Sequence, residues 1–235
     1  VPFFNEEKNL ITLSNLIKKT SVDRNFSYKI LFLDDCSTDN SYKIISEFKV
    51  NNMDNDLIVY QNKENLGHGK SLLRLYDLTN DYLEKADSIV TLDSDMKMVY
   101  NEFCDIFENE NSVICKRSRF EEGIFRTLIT LCAEFIIFLK TGRLWRDGNC
   151  PLRLYKKEDF LIIKELIPNN LLTPNIVSTI IFIRLKIPFT RKKINLIHDK
   201  KNSGVSWKGV SPFSKYINIL KFSLKSSIEV LKLKI

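Results

Sequence analysis

The chain has 235 residues, 44% of them hydrophobic and 28% charged, enough for one large α/β domain with a full core. Gly and Pro are sparse, and no Gly/Ser/Pro-rich linker or internal repeat interrupts the chain, which excludes disorder and favours a single domain. The net charge of +7 divides unevenly: residues 1–110 carry 12 Lys+Arg against 20 Asp+Glu, and residues 111–235 carry 24 against 9. An acidic half of −8 beside a basic half of +15 suggests partners of two kinds, with an anionic ligand or surface met by the second half. Five cysteines without a CxxC pair, and two histidines, argue against a zinc site and for reduced thiols. No apolar run reaches the roughly 18 residues that a membrane span needs.

In chain order, Val1–Phe4 reads as the tail of a buried strand whose first residues precede the sequence. Glu6 to Lys19 has apolar residues at 10, 11, 13, 16 and 17, a helical period. Lys29–Leu33 is a short buried strand that runs into Asp34 and Asp35. Asp39–Phe48 follows as a helix with Thr38 or Asp39 as N-cap. Leu57–Tyr60 is a strand, Asn65–Gly69 a glycine loop and Lys70–Leu83 a helix. Ser88–Leu92 is a strand ending at Asp93-Ser94-Asp95. Alternation of strands and helices predicts a mostly parallel sheet covered on both faces.

Such sheets bind ligands beyond the carboxyl ends of their strands. Asn5-Glu6, Asp34-Asp35 and Asp93-Ser94-Asp95 all fall at such ends. Taken singly, each could be a helix cap; three at matching positions predict a site. Asp-x-Asp supplies two hard oxygen ligands and leaves positions open for phosphate oxygens, which suits Mg²⁺ or Mn²⁺. The loop Asn65-Leu66-Gly67-His68-Gly69-Lys70 lets backbone approach a ligand ahead of a helix, but it lacks the P-loop spacing. His68 reads as a loop histidine.

"VPFFNEEKNL", "LDDCSTDNS", "NLGHGKSL" and "TLDSDM" resemble, in order and spacing, the VPxYNE, DDGSTD, NxGxGxA and DAD elements of family 2 glycosyltransferases. "RDGNCPLRLYKK" and "KKNSGVS" resemble the D-x-x-x-G-F-R and R-x-x-G-x-S elements of that family's polyprenyl-phosphate branch, typified by dolichol-phosphate mannosyltransferases. The resemblance runs from Val1 to about Trp207. It implies a GT-A fold, Rossmann-like with a mostly parallel central sheet flanked by helices. It also implies a nucleotide-sugar donor and inverting transfer. Pro2, Phe4, Glu6 and Asp35 would line the donor's nucleoside pocket, with Lys70 and Ser94 in the donor-binding set. Asp93 and Asp95 would hold the metal and diphosphate, and Asp147 would sit beside the reacting sugar. Arg117 and Arg126 match basic positions that meet a lipid phosphate; Lys201 and Ser206 match the loop that closes over phosphate. Cys36 stands where glycine is commonest, Lys97 where a glutamine helps to bind metal, and Lys201 where arginine is usual.

The acceptor stays open between two chemistries. A hydroxyl needs a general base, for which Asp147 is the one carboxylate between Glu134 and Glu158. A polyprenyl phosphate is already anionic and needs only positioning, which the basic half favours. Two segments bear on a membrane surface. Ile124–Leu139 is largely apolar and suits a core helix or a membrane-lying one. Residues 211–235 form a basic amphipathic helix after a catalytic domain of residues 1–210: Ile217, Leu220, Leu224, Ile228, Leu231 and Ile235 share one stripe, with Lys221, Lys225 and Lys232 on the other. The expectation is an enzyme at the cytosolic membrane face that glycosylates a polyprenyl phosphate. Its rivals are transfer to a glycan hydroxyl and, in another class, a non-catalytic nucleic-acid-binding module, which only the charge supports.

Overall fold

A computed structural model describes residues 1–95, 98–117, 124–195 and 212–233, with backbone alone for residues 124–129 and 212–216. Lys97, Lys201 and Ser206 lie outside the described residues, as does the side chain of Arg126. Strands β1 (Pro2–Phe3), β2 (Ile30–Asp34) and β3 (Leu57–Gln61) form one parallel sheet in sequence order. Strands β4 (Ser88–Thr91), β5 (Ser112–Arg117), β6 (Arg153–Lys156) and β7 (Phe189–Ile194) form a second sheet in the order β4-β6-β5-β7. There β5 and β7 are parallel, and β6 runs antiparallel to β4 and β5. The pairing is thus mostly parallel, as the alternation predicts, with β6 as the reversed strand.

The helices are α1 (Leu10–Arg24), α2 (Ser41–Asn51), α3 (His68–Leu78), α4 (Tyr100–Cys104), α5 (Ile124–Thr141), α6 (Lys157–Leu166), α7 (Pro174–Arg184) and α8 (Pro212–Lys232). Two begin later than expected. Asn5 turns the chain with φ of 56°, so α1 starts at Leu10 rather than Glu6. For α2 the N-cap is Asn40; Asp39 instead stands just ahead of the helix and accepts from the Ser41 amide at 2.9 Å, doing a cap's work one position early. The expected Lys70–Leu83 helix starts at His68 and gives way after Leu78 to two 3₁₀ turns, Thr79–Asp81 and Leu83–Lys85.

One core joins the two sheets. Phe3, Phe32 and Leu57 of the first sheet cluster with Leu92, Val113 and Leu154 of the second. The other face of the second sheet builds a second core with α3, α5, α6 and α7. Strand alternation assigns the residues: Val113 and Cys115 face one core and Ile114 the other; Leu154 and Tyr155 divide likewise. Helix α7 is buried along Pro174–Ile183, as its uniformly apolar and small-polar sequence requires. Helix α5 buries Ala133, Ile136 and Ile137 and exposes Leu131, Phe135, Phe138 and Leu139. Helix α8 packs on α5 through Ser226 and Val230 and turns Leu220, Leu224, Ile228 and Leu231 outward. Among the described residues no helix is long and apolar enough to cross a membrane.

Candidate active site

The carboxyl ends of β1, β2 and β3 are in register, with Phe3 opposite Asp34 and Asp34 opposite Gln61. The residues that follow each strand therefore share one edge. The Asp35 amide donates to Phe3 O at 2.8 Å, and the Asn62 amide to Asp34 O at 2.8 Å. Both aspartates are buried, and both are held by protein donors. Asp34 Oδ1 accepts from the Ser37 amide (2.9 Å) and Ser37 Oγ (2.5 Å), and its Oδ2 from Gln61 Nε2 (2.9 Å). Asp35 Oδ1 accepts from Asn62 Nδ2 (2.7 Å) and the Leu66 amide (2.8 Å), and its Oδ2 from the Gly67 amide (2.8 Å). A carboxylate here satisfies two partly buried amides of the glycine loop. Asp35 is thus the post on which Asn65–Gly67 is hung.

Asn5 ties the first strand to the second: its Oδ1 accepts from the Thr38 amide at 2.8 Å, and its own amide donates to Ser37 Oγ at 3.0 Å. Glu6 is 8% exposed, and its Oε2 accepts from Asn9 Nδ2 at 2.5 Å. Pro2 is buried in β1, Phe4 half-buried beyond it, and Lys70 exposed on the first turn of α3. Cys36, at φ of 64°, occupies the left-handed region, which explains why glycine suits this position. Cys36→Gly is expected to stabilise the fold by about 0.5–1 kcal/mol, because relief of the left-handed strain outweighs the added chain entropy. A higher thermal midpoint for the variant checks it.

The fourth strand brings the metal-binding candidates to the same edge. Ser94 is buried, Asp93 half-buried and Asp95 exposed. His68, at the start of α3, reaches Asp93, with Nε2 to Oδ1 at 3.4 Å. The glycine loop therefore brings a histidine to the first aspartate of the pair, a contact that sequence spacing alone did not reveal. Among the described residues no group of three or more His, Cys, Asp or Glu forms a protein cage. Two hard oxygen donors without a cage fit a cation that shares its coordination with phosphate oxygens, as Mg²⁺ and Mn²⁺ do.

Asp147 lies in the turn that leads into β6. Thr91, two residues before Asp93, pairs with Arg153 and donates to Pro151 O at 3.0 Å, which seats the turn 147–151 beside the end of β4. Asp147 is 5% exposed, with φ of 55°. Arg117, the last residue of β5, clamps it: the Arg117 amide and Nε donate to Oδ2 at 2.8 and 3.0 Å, and Nη2 donates to Oδ1 at 2.8 Å. The two residues expected in separate roles thus form one partly buried ion pair. Two buried thiols lie close to it. Burial first, and Asp147 nearby second, push the Cys150 thiol well above the ordinary range, and burial pushes Cys115 up to about 12. Just outside, several cations lie close together. Lys116 is held below its ordinary value, chiefly by Arg191, with burial, Arg146 and Lys193 adding to it.

The model of the family described as Glycosyl transferase family 2 matches residues 1–160. An undecaprenyl-phosphate 4-deoxy-4-formamido-L-arabinose transferase of Proteus mirabilis is 26% identical over 161 residues, covering 67% of this chain and 48% of that protein. The enzyme of the same name from Photorhabdus laumondii is 23% identical over 226 residues, covering 94% of this chain and 64% of that protein. The chain thus spans roughly half to two thirds of the length of these relatives. Among solved structures, mannosyl-3-phosphoglycerate synthase from Rubrobacter xylanophilus superposes with a TM-score of 0.66 at 14% identity, covering 98% of this chain and 72% of that one. A mannosyltransferase from Pyrobaculum calidifontis, solved with GDP-Man and Mn²⁺, gives 0.60 at 14% identity, covering 97% and 62%. These likenesses give the fold, GT-A. With the family model matching most of the chain from its first residue, and with the DxD-bearing sheet edge in place, the chain belongs to glycosyl transferase family 2.

Proposed function

We propose that the protein transfers a sugar, with inversion, from a nucleotide-sugar to a polyprenyl phosphate at the cytosolic face of a membrane, with Mg²⁺ or Mn²⁺. The observation that carries the choice of acceptor is the Arg117–Asp147 clamp. A hydroxyl acceptor needs a base, and it would have to part Asp147 from Arg117 before handing over its proton. A phosphate acceptor arrives already charged. Its oxygen forms the new bond to the anomeric carbon while the bond to the donor diphosphate breaks, and the electron pair leaves on the diphosphate. A divalent cation between Asp93 and Asp95 would neutralise the charge that builds on that leaving group. The relatives named above, which act on undecaprenyl phosphate, support the same reading, as does the basic surround of Lys116, Arg146, Arg191 and Lys193. Pro2, Phe4, Glu6, Lys70 and Ser94 belong to the donor side in this reading, and Arg126, Lys201 and Ser206 to the phosphate.

Membrane contact is part of the proposal. The outward faces of α5 and α8 carry Phe135, Phe138 and Leu139, then Leu220, Leu224, Ile228 and Leu231, beside Lys221, Lys225 and Lys232. Apolar groups beside lysines suit an anionic lipid surface. The five cysteines are free, which agrees with a reducing compartment.

The test supplies UDP-, GDP- and dTDP-sugars with Mn²⁺ and compares a prenyl phosphate with the matching prenol. Release of nucleoside diphosphate should require a matching sugar and the phosphate. Glycosylation of a soluble saccharide hydroxyl, with prenyl phosphate ignored, would overturn the assignment and make Asp147 the leading base. Leu224→Glu with Ile228→Glu should abolish flotation with anionic liposomes; unchanged flotation would remove α8 from the membrane reading.

A further inference from the structure

Arg153 opens β6, and its side chain is fully buried, with 0% exposure. Every hydrogen bond it makes among the described residues goes to a neutral oxygen. Nε donates to Cys150 O (2.9 Å) and Nη1 to Ser178 Oγ (2.8 Å); Nη2 donates to Gly148 O (2.6 Å) and Thr179 Oγ1 (3.0 Å). Burying a guanidinium without a carboxylate costs several kcal/mol. The bonds obtained in return are directed at one place. Two go to carbonyls of the turn 147–150, and two go to α7, which supports that turn from behind.

The turn needs the support. Asp147 sits at φ of 55°, in a region that L-residues adopt at a cost. Gly148 lies close to α5, and a Cβ there would stand 2.1 Å from Ile137 Cδ1, so the Ile137 side chain would have to move. Thr179 Oγ1 donates to Gly148 O at 2.9 Å, so Arg153 and α7 converge on the same carbonyl. Tyr155 OH lies 2.9 Å from Ser178 Oγ and steadies the second hydroxyl. Two arginines thus grip one turn from opposite sides. Arg117 holds the Asp147 carboxylate at the reacting edge, and Arg153 holds the backbone from within the core.

We infer that Arg153 is a positioning residue for the reaction: by fixing the carbonyls of Gly148 and Cys150 against α7, it sets where the Asp147–Arg117 pair stands relative to the reacting sugar and the acceptor phosphate. This rests on the reading of Asp147 as a residue of the reacting centre. A guanidinium suits the task because its planar fork reaches four acceptors in fixed directions, which an ammonium cannot do.

The test uses Arg153→Met, which keeps the volume and removes the donors, with Arg153→Lys and Thr179→Val as gentler variants. A displacement of about 1 Å at a reacting group can cost a hundredfold in rate, so kcat should fall by about ten- to a hundredfold in Arg153→Met. KM for the nucleotide-sugar should stay within about twofold, since Asp35 and the glycine loop are untouched. Arg153→Lys should recover part of kcat. In an Asp147→Asn background the Arg153→Met change should cost nothing further, because the group it positions is already lost. An undiminished kcat, or the same fractional loss in both backgrounds, would reduce Arg153 to a core residue and overturn the inference. If Arg153→Met does not fold, Thr179→Val carries the same comparison. The Arg117 Nε–H resonance, hydrogen-bonded to Asp147 in the intact protein, reads position without activity: it should lose protection in the variant while the Val113–Cys115 amides keep theirs. Unchanged protection would overturn the inference. Lost protection with a fully active Asp147→Asn enzyme would instead refute the role given to Asp147.

Discussion

Replacing Asp95 with alanine, or adding EDTA in excess, is expected to lower sugar transfer by about a thousandfold or more, the scale on which a site loses its main electrostatic stabilisation of a leaving group. Asp95 is exposed at the end of the β4 segment, and the described residues near it provide no third carboxylate to take over. With one oxygen ligand gone, a cation would be held by Asp93 and the donor phosphates alone, and the diphosphate would leave with its charge poorly matched. The same substitution should leave the melting temperature within about 2 °C, because an exposed side chain away from the core contributes little to stability. Transfer and calorimetric binding of nucleotide-sugar should fall together in EDTA and return with Mn²⁺. Full activity in EDTA would overturn the metal reading.

Asp35→Ala is expected to act first on the fold. Its carboxylate accepts from Asn62 Nδ2 and from the amides of Leu66 and Gly67, all within 2.8 Å. Truncation removes three hydrogen bonds to a charged acceptor, two of them from partly buried loop amides, so a loss of about 3–5 kcal/mol and a fall of about 10 °C in melting temperature are expected. Nucleotide affinity should fall with it, because the loop hung on Asp35 also carries His68 to Asp93. A variant that melts like the parent but binds nucleotide weakly would show that Asp35 acts on the ligand directly.

The strand-end clusters were legible in the sequence because each apolar run stops at polar residues, and sheets of this kind bind ligands beyond the carboxyl ends of their strands. What those carboxylates touch was not legible. Asp34 and Asp35 find their donors in Ser37, Gln61, Asn62 and the glycine loop, up to 32 residues away, and no local pattern encodes that closure. The Arg117–Asp147 pair spans 30 residues, and only the pairing of β5 with β6 brings its ends together. The reversal of β6 was hidden for a related reason: alternation of side chains is the same in either strand direction. The start of α1 was misplaced because the polar residues Glu6–Asn9 were counted into a helix whose apolar period begins only at Leu10. The apolar stripe of α8 was readable by period, but not which side of the helix would meet α5. Arg153 was visible only as one letter of a motif; its burial among neutral oxygens depends on α7, which follows 21 residues later.

Helix α8 does more than offer an outer face. Glu229 Oε2 accepts from the Leu172 amide at 2.8 Å, and Lys140 Nζ donates to the carbonyls of Leu231 and Leu233 at 2.8 and 2.7 Å. The carbonyls of Leu171 and Leu172 in turn press on Gly69, where any Cβ would stand 2.4 Å from both. Gly69 follows His68, which touches Asp93. A short strut of direct contacts therefore runs from the C-terminal helix to the donor end of the sheet. Shortening the chain before residue 212 would not unmoor an otherwise intact enzyme. It would remove the brace behind Leu172, and the metal end would feel the loss as much as the lipid end.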